Sequence, residues 1–288
     1  MIDRGIILAG GYGTRLSPLT KVTNKQLLPL YDKPLIYYPL SVLMLAGIKK
    51  ILVIVNPAEA NTYRKLLGDG SRLGINIIYK EQKKPSGLPE AFLIGEEFIN
   101  KNGVALILGD NFFYGQGLAL RLKQSLKKNK GSTIFLYPVK NPSQYGVVEL
   151  TNKNRVNKIS EKPKKPKSNL AITGLYLFDN KVVNFSKKLK PSKRNELEIT
   201  DLIKRYKKIK SLKIEHIGRG GSWLDTGTAK DLFDASLFVS TIEKRQGLKI
   251  ACIEEIALRN KWIKKGSIIK SIKFYGNCDY SNYLKKLV

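Results

Sequence analysis

The sequence predicts an α/β fold, a mixed and mostly parallel sheet flanked by helices. Two observations predict it. Short apolar runs of strand length alternate with longer stretches of helical periodicity through the first half of the chain, the signature of βαβ units. The first of these runs ends in glycines, Gly10-Gly11-Tyr12-Gly13, where a strand gives way to a turn. With 288 residues, 42% of them hydrophobic, the chain is long and apolar enough to bury a substantial core.

The elements follow in order. Residues 5–9 read as a strand, 35–45 as a helix and 51–55 as a continuous apolar strand. Residues 58–67 read as a helix, 75–79 as a strand and 88–99 as one helix. A strand at 104–108, a helix at 118–128 and a strand at 133–138 complete the alternation. Right-handed crossovers gather the loops at the carboxyl ends of such strands, the edge where ligands bind in open α/β sheets. The core is therefore expected to be Rossmann-like. After about residue 140 the pattern changes. Strands at 145–150 and 172–178 flank a Lys/Pro-rich loop at 162–167, which predicts a β-rich lobe over about 140–220. A glycine turn at 218–221 precedes Trp223-Leu-Asp225-Thr. Residues 229–243 form an amphipathic helical run, and 247–288 read as mostly helical. The expected division is a core of 1–228, lobe included, and a helical C-terminal segment of 229–288.

Lys and Arg number 52 against 23 acids, a formal charge of +29. Such a balance draws polyanions and raises nucleic acid or a membrane surface as partners. The Lys residues are dispersed along the chain, and Arg, the preferred reader of base edges, is scarce. This pattern favours solvated faces over a nucleic-acid partner, and it suits an enzyme that handles nucleotides. No apolar run approaches the ~20 residues of a membrane span. The apolar Ile6-Ile-Leu-Ala9 is cut short by glycines before it makes a secretory signal. A cytoplasmic protein is expected. Cys252 and Cys278 make neither a disulfide framework nor a zinc cluster. The single His, His216, excludes multi-His metal sites and reads as a strand residue with no catalytic role.

Three motifs carry chemistry. In Leu8-Ala-Gly10-Gly11-Tyr12-Gly13-Thr14-Arg15-Leu16 a strand runs into a loop with bare N–H groups, able to face an anion. It lacks the last glycine of the dinucleotide fingerprint and the Gly-Lys-Ser/Thr of a P-loop. Arg15 within it and Lys25 ten residues on suit a triphosphate, whose charge must be held in the transition state. An ordinary βα turn with solvated bases accounts for the spacing equally well. In Leu106-Ile-Leu-Gly109-Asp110-Asn111 an apolar strand ends in a carboxylate fit for Mg²⁺, or for capping the next element. Asp225 offers a second carboxylate, again either a metal ligand or a cap for the helix from Ala229. Glu161-Lys162-Pro163 and Pro85-Ser86-Gly87-Leu88 read as turns, and Tyr37-Tyr38 as helix core.

Taken together, these motifs resemble the sugar-phosphate nucleotidylyltransferases. The likeness is carried by residues 8–16, the run from Lys25 to Leu40, Leu108-Gly-Asp-Asn111, Tyr145-Gly-Val-Val148, Glu161-Lys-Pro163, Glu196-Leu-Glu-Ile-Thr-Asp201 and Trp223-Leu-Asp-Thr-Gly-Thr228. It extends to Arg245-Gln-Gly-Leu-Lys249 in the tail. It is strongest to members that join dTTP to glucose 1-phosphate, releasing diphosphate and making dTDP-glucose for dTDP-rhamnose and deoxysugar synthesis; UTP is the alternative nucleotide. The resemblance implies Mg²⁺ on Asp110 and Asp225. It implies a triphosphate held by Leu8, Gly10, Gly11, Gly13 and Thr14, with Arg15 and Lys25 as catalytic cations. Gln26, Gln82 and Gly87 would recognise the base, with Asp110 at the phosphates. Asn111, Tyr145, Gly146, Glu161, Ile172 and Arg194 would hold the sugar, which makes the β-rich lobe sugar-binding, and Lys162 the sugar phosphate. A homotetramer is also implied, with feedback inhibition by dTDP-rhamnose at a regulatory site built from Gly115, Arg219, Glu255 and Arg259. The family's base loop reads Pro-Asp-Gly-Leu-Ala-Gln-Ala; here it is Pro85-Ser-Gly-Leu-Pro-Glu-Ala91.

Overall fold

The computed structural model describes residues 2–288. Nearly continuous apolar runs form the central strands: β1 (Ile2–Ala9), β4 (Lys50–Val55) and β6 (Gly103–Leu108), with a small hairpin of β2 (Pro29–Leu30) and β3 (Lys33–Pro34) between the first two. The more alternating β5 (Asn76–Glu81) sits at the edge beside β4. β6, β1, β4 and β5 run parallel. Strands covered on both faces need apolar side chains at every position, which is why period-two alternation is missing there. Beyond β6 the sheet turns antiparallel. β8 (Ser132–Pro138), β9 (Gly146–Leu150), β10 (Val156–Glu161) and β11 (Leu170–Phe178) follow, while β12 (Leu212–His216) pairs parallel with β8. The order is β10-β9-β11-β6-β1-β4-β5, with β8 on β11.

Two layers of helices cover the sheet. Ile7, Val53 and Val55 face the helix Tyr37–Leu45, while Ile6, Leu8, Leu52 and Ile54 face Phe92 and the helix Ile199–Lys208. Alternate residues of one strand thus feed opposite cores. The helix Tyr37–Leu45 is buried from Tyr37 to Met44 on every side, so it shows no apolar stripe.

The strand–helix alternation expected from sequence is present, with differences. The helix expected at 88–99 is two short ones, Glu90–Ile94 and Glu96–Ile99. Gly95 seats the break flush on the sheet, where a Cβ would lie 3.0 Å from Ile6 Cδ1. The helix expected at 58–67 opens with the tight turn Pro57–Glu59 before Ala60–Leu67. Helices Val182–Lys187 and Ile199–Lys208 were not foreseen, although Ile199, Leu202, Ile203 and Tyr206 carry helical spacing. The residues after Asp110 form a strand, β7 (Asn111–Gly115), paired antiparallel with β13 (Gly221–Asp225).

The C-terminal segment is mostly helical, as expected: Ala229–Gln246, Ile253–Arg259, Lys265–Tyr275 and Asp279–Lys285. Thr228 and Asp231 close a capping box at the first of these, so the cap is Thr228 and not Asp225. Among the described residues no helix is long and apolar enough to cross a membrane.

Candidate active site

The carboxyl ends of β1, β5 and β6 meet the antiparallel lobe across a cavity of about 360 Å³. Its walls include Leu8, Gly11, Arg15, Gln26, Gln82, Gly87 and Asp110 on one side. Asn111, Tyr145, Gly146, Glu161, Lys162, Ile172, Arg194 and Asp225 line the other. Residues chosen from stretches of sequence far apart therefore share one chamber, at the sheet edge where strand-end loops converge.

The glycine loop leaves β1 and is tied down at both ends. Thr20 Oγ1 donates to the Gly13 carbonyl at 2.9 Å, and buried Leu16 anchors the short turn Thr14–Leu16. Asn24, buried, accepts from the Gln26 N–H at 3.0 Å and from the Tyr63 hydroxyl at 2.8 Å. Thr14 and Arg15 are left exposed on this rim, and Arg15 forms no ion pair among the described residues. Gly10, Gly13 and Thr14 belong to the loop without lining the cavity.

Lys25 is also off the cavity wall. It is buried, and its Nζ donates to Asp110 Oδ2 at 2.5 Å. Asn111 Nδ2 donates to the other carboxylate oxygen at 2.9 Å. The Asn111 carbonyl is committed as well, accepting from Trp223 Nε1 at 2.5 Å and from the Gly174 N–H at 3.0 Å. Asn111 thus locks β6, β11 and β13 together around Asp110. The register of β7 with β13 sets Asp225 opposite Asn111, next to Asp110. Thr226 finishes the join, donating from its hydroxyl to the Asp110 carbonyl at 2.9 Å.

The two carboxylates titrate apart. Burial pushes both up, but the Lys25 ammonium and its hydrogen bond hold Asp110 below the usual carboxylate range. Asp225, raised by burial and then by the Asp110 charge, is pushed up to about 7. A Cβ on Gly227 would lie 3.2 Å from Arg15 Nη2 and 3.3 Å from Asp225 Oδ1, so both flank the same glycine. Two adjacent carboxylates, only one of them paired to an ammonium, are hard oxygen donors for a divalent ion. Among the described residues no cluster of three or more His, Cys, Asp or Glu could hold a metal alone. A site with two carboxylates leaves further positions to phosphate and water, the habit of Mg²⁺.

The lobe side is built on Arg194. Its Nη2 lies 2.6 Å from Glu198 Oε2 and 3.4 Å from Glu161 Oε1. Burial, then the nearby Glu198 charge, raises Glu161; burial raises Glu198 too, but the hydrogen bonds from Arg194 and Ser192 bring it below its usual value. Tyr145 stacks edge-on to Trp223 with centroids 5.2 Å apart. Lys162 lines the cavity from a backbone φ of 39°, a region that a lysine rarely adopts. Gly87 bridges the two sides. Its φ is 111°, and a Cβ there would sit 2.2 Å from the Leu197 carbonyl oxygen. Only glycine lets the loop at 85–90 pair with the loop at 192–198, where the Leu197 N–H donates to the Ser86 carbonyl at 2.8 Å.

Residues 4–242 match the family model described as Nucleotidyl transferase. The chain belongs to the nucleotidyl transferase family. A glucose-1-phosphate thymidylyltransferase of Neisseria meningitidis is 52% identical over 285 residues, 99% of each chain. One of Mycolicibacterium smegmatis is 51% identical over 285 residues, again 99% of each. A Bacillus anthracis structure assigned to the same activity and solved with a sucrose aligns with TM-score 0.75 and 38% identity, over 82% of this chain and 94% of that one. A UDP-glucose pyrophosphorylase complexed with UDP-glucose aligns with TM-score 0.73 and 26% identity, over 85% of this chain and all of that one.

In this nucleotidyl transferase the remaining sequence candidates lie elsewhere. Gly115 ends β7 beside Gly221 and lines a second, more apolar cavity of about 200 Å³. Arg219 is exposed in the adjoining turn. Glu255 is buried on the helix Ile253–Arg259, 2.6 Å from Arg259 Nη2. No hydrogen bond or ion pair among the described residues joins these two pairs. Sequence reasoning named no role for Trp223, Asn24 or Glu198. Each was visible only as a neighbour of a chosen motif, in Trp223-Leu-Asp225, Asn24-Lys25-Gln26 and Glu196-Leu-Glu198.

Proposed function

We propose that the chain is a glucose-1-phosphate thymidylyltransferase, converting dTTP and glucose 1-phosphate into dTDP-glucose and diphosphate. The observation that carries this reading is the convergence of the base, phosphate, carboxylate and sugar-side candidates on one cavity. The relatives about half identical over nearly the full chain support the same activity. In the reaction a phosphate oxygen of glucose 1-phosphate attacks the α-phosphorus of dTTP. The bond from that phosphorus to the bridging oxygen of the diphosphate breaks, and the diphosphate leaves with the electron pair. The nucleophile is already anionic, so no protein base is required and catalysis rests on positioning and charge neutralisation.

The residues divide that work. The backbone of Gly10, Gly11 and Gly13, with Leu8 and Thr14, offers N–H groups to the triphosphate. Arg15, exposed and without an acidic partner, is the cation available to the departing diphosphate. Lys25 keeps Asp110 ionised and brings its charge to the same end. Gln26, Gln82 and Gly87 meet the base. Tyr145, Gly146, Glu161, Ile172 and Arg194 face the hexose and Lys162 its phosphate, while Asn111 positions Asp110. Enzymes of this family work with a divalent metal. We assign Mg²⁺ to Asp110 and Asp225; when bound there it would neutralise phosphate charge. Gly115, Arg219, Glu255 and Arg259 are proposed as parts of a regulatory site for dTDP-rhamnose in a homotetramer, in keeping with a second cavity away from the first. The free thiols Cys252 and Cys278 fit a cytoplasmic enzyme.

The test is diphosphate release with dTTP, UTP and the other triphosphates, each with glucose 1-phosphate and Mg²⁺. A clear preference for dTTP is the expected outcome. Equal kcat/KM for UTP overturns the thymidylyl assignment in favour of a uridylyl one, the activity of the more distant structural neighbour. No sugar nucleotide in either direction overturns the reading altogether.

A further inference from the structure

Asn24 lies behind the glycine loop, 6% exposed, with its amide held on both sides. Its Oδ1 accepts from the Gln26 N–H at 3.0 Å and from the hydroxyl of fully buried Tyr63 at 2.8 Å. Burial pushes the Tyr63 hydroxyl well above its ordinary range, so it stays protonated and donates. Two donors on one oxygen settle which way the amide points, because its NH₂ end accepts nothing. Asn24 Nδ2 is thereby turned to the glycine loop, where it donates to the Gly11 carbonyl at 3.4 Å. A second side chain does the same two residues on, where the Gly13 carbonyl takes the Thr20 hydroxyl at 2.9 Å. A trans peptide carries its C=O and N–H on opposite edges of one plane. With the Gly11 and Gly13 carbonyls drawn toward Asn24 and Thr20, the N–H groups of Tyr12 and Thr14 are turned the other way. Neither N–H meets an acceptor among the described residues, and both residues are exposed. Gly11 lines the cavity, whereas Asn24 stands behind it.

We propose that Asn24, oriented by Tyr63, holds the Gly11 carbonyl out of the cavity and so keeps the Tyr12 N–H presented to the triphosphate. The inference rests on the nucleotide reading above and names what sets the phosphate loop before the ligand arrives. Glycine puts little torsional restraint on the Gly11–Tyr12 peptide, so without the tether that plane is free to turn over. Turned over, it meets a polyanion with a carbonyl oxygen in place of a donor. A donor fixed in advance costs no reorganisation when the phosphates bind. Asn24 also caps the turn Lys25–Leu27. One side chain therefore ties the phosphate loop to the segment that carries Lys25. Asn24 acts through the Gly11 peptide and is a positioning residue; Tyr63 acts through Asn24.

The experiment is calorimetric titration of the full chain with dTTP and with thymidine, each in Mg²⁺ and without sugar phosphate. Wild type is compared with Asn24→Thr, with Tyr63→Phe and with the two combined. Thr keeps an acceptor for the Gln26 N–H but has no amide to reach Gly11. In Asn24→Thr the dTTP:thymidine affinity ratio falls about tenfold or more, the loss of one hydrogen bond to a charged group. Tyr63→Phe lowers the ratio by a smaller factor. The double variant falls no further than Asn24→Thr alone, because the two side chains work in series. A merely structural role weakens both ligands together and leaves the ratio unmoved, which overturns the proposal, as does a double variant whose losses multiply. Wild-type protein that binds neither ligand overturns the nucleotide reading as well, whereas tight dTTP binding with an unmoved ratio in the variants removes only the role of Asn24.

Discussion

The cavity and the C-terminal segment treat charge in opposite ways. Around the cavity, polar groups are left short of partners. Asp225 is pushed up to about 7, Arg15 forms no ion pair among the described residues although it lies near Asp225, and Gln26 Oε1 is buried and unpaired. Where the C-terminal segment packs on the β2–β3 hairpin, and within the segment itself, each buried charge named here is paired or hydrogen-bonded. Lys33, 4% exposed, reaches Asp32 and lies 3.2 Å from Glu243 Oε1. Lys249 binds the same two acids, and Glu243 also accepts from the Ile250 N–H at 2.8 Å. Glu254, fully buried, takes the hydroxyls of Tyr275 and Tyr280, each at 2.7 Å. Buried charges cost free energy unless they are paired and hydrogen-bonded. A region that pairs them is built to hold shape, and a region that leaves them unpaired is built for a ligand to complete.

The largest effect that would break this comparison is catalytic. Asp110→Asn or Asp225→Asn lowers kcat by roughly 100-fold or more at saturating Mg²⁺, because neutralisation of phosphate charge is weakened. Near-normal diphosphate release in both variants removes the metal role. Arg15→Ala follows, with kcat down about 100-fold and nucleotide affinity changed much less, since its help is assigned to the transition state. A change confined to KM rejects that role.

In the paired region the effect moves from turnover to stability. Lys33→Met leaves buried Glu243 and half-buried Asp32 sharing Lys249 and costs about 3 kcal/mol in denaturant unfolding. Turnover per folded molecule is unchanged. A loss of kcat without a loss of stability would erase the distinction between the two regions.

Asp225→Asn has the opposite sign. The folded carboxyl titrates about 7, above its unfolded value of 3.8. The folded state therefore holds a proton that the unfolded state has lost, and this contribution to wild-type stability falls as pH rises from about 4 through 7. In chelator at pH 8 the Asn variant is accordingly more stable than wild type, by about 2 kcal/mol after allowance for partial exposure. A flat difference between the two across that pH range contradicts the assignment. The smallest effect is at the join between the regions. Thr228→Ala removes the capping box of the helix Ala229–Gln246 and costs about 1 kcal/mol by thermal unfolding.

Much of the site was legible because its signals are local. Gly10 to Arg15 and Asp110 each follow a strand whose own residues announce it, and Lys25 lies ten residues beyond Arg15. The base-loop departure was legible as a change of residues, Ser86, Pro89 and Glu90, but not as a contact. Glu90 accepts from Gln82 Nε2 on a neighbouring segment. Asp110 and Asp225 each had an equally good reading as a helix cap. β7 decides the first, since a strand follows Asp110, and the capping box of Thr228 decides the second. The helix Ile199–Lys208 was visible in spacing yet passed over beside a Lys-rich stretch.

The sequence by itself determined the α/β class, the order of the parallel strands along the chain and the residue types at their carboxyl ends. Those follow from side-chain periodicity and from glycine, which act over a few residues. Only the tertiary structure decided which of these residues meet. The pairing of β7 with β13 brings Asp110 to Asp225, and the Gly87–Leu197 bridge joins base loop to sugar loop. Such contacts link segments about 110 residues apart, as Gly87 and Leu197 are. Their geometry is set by the packing of the whole sheet, which no short window of sequence contains.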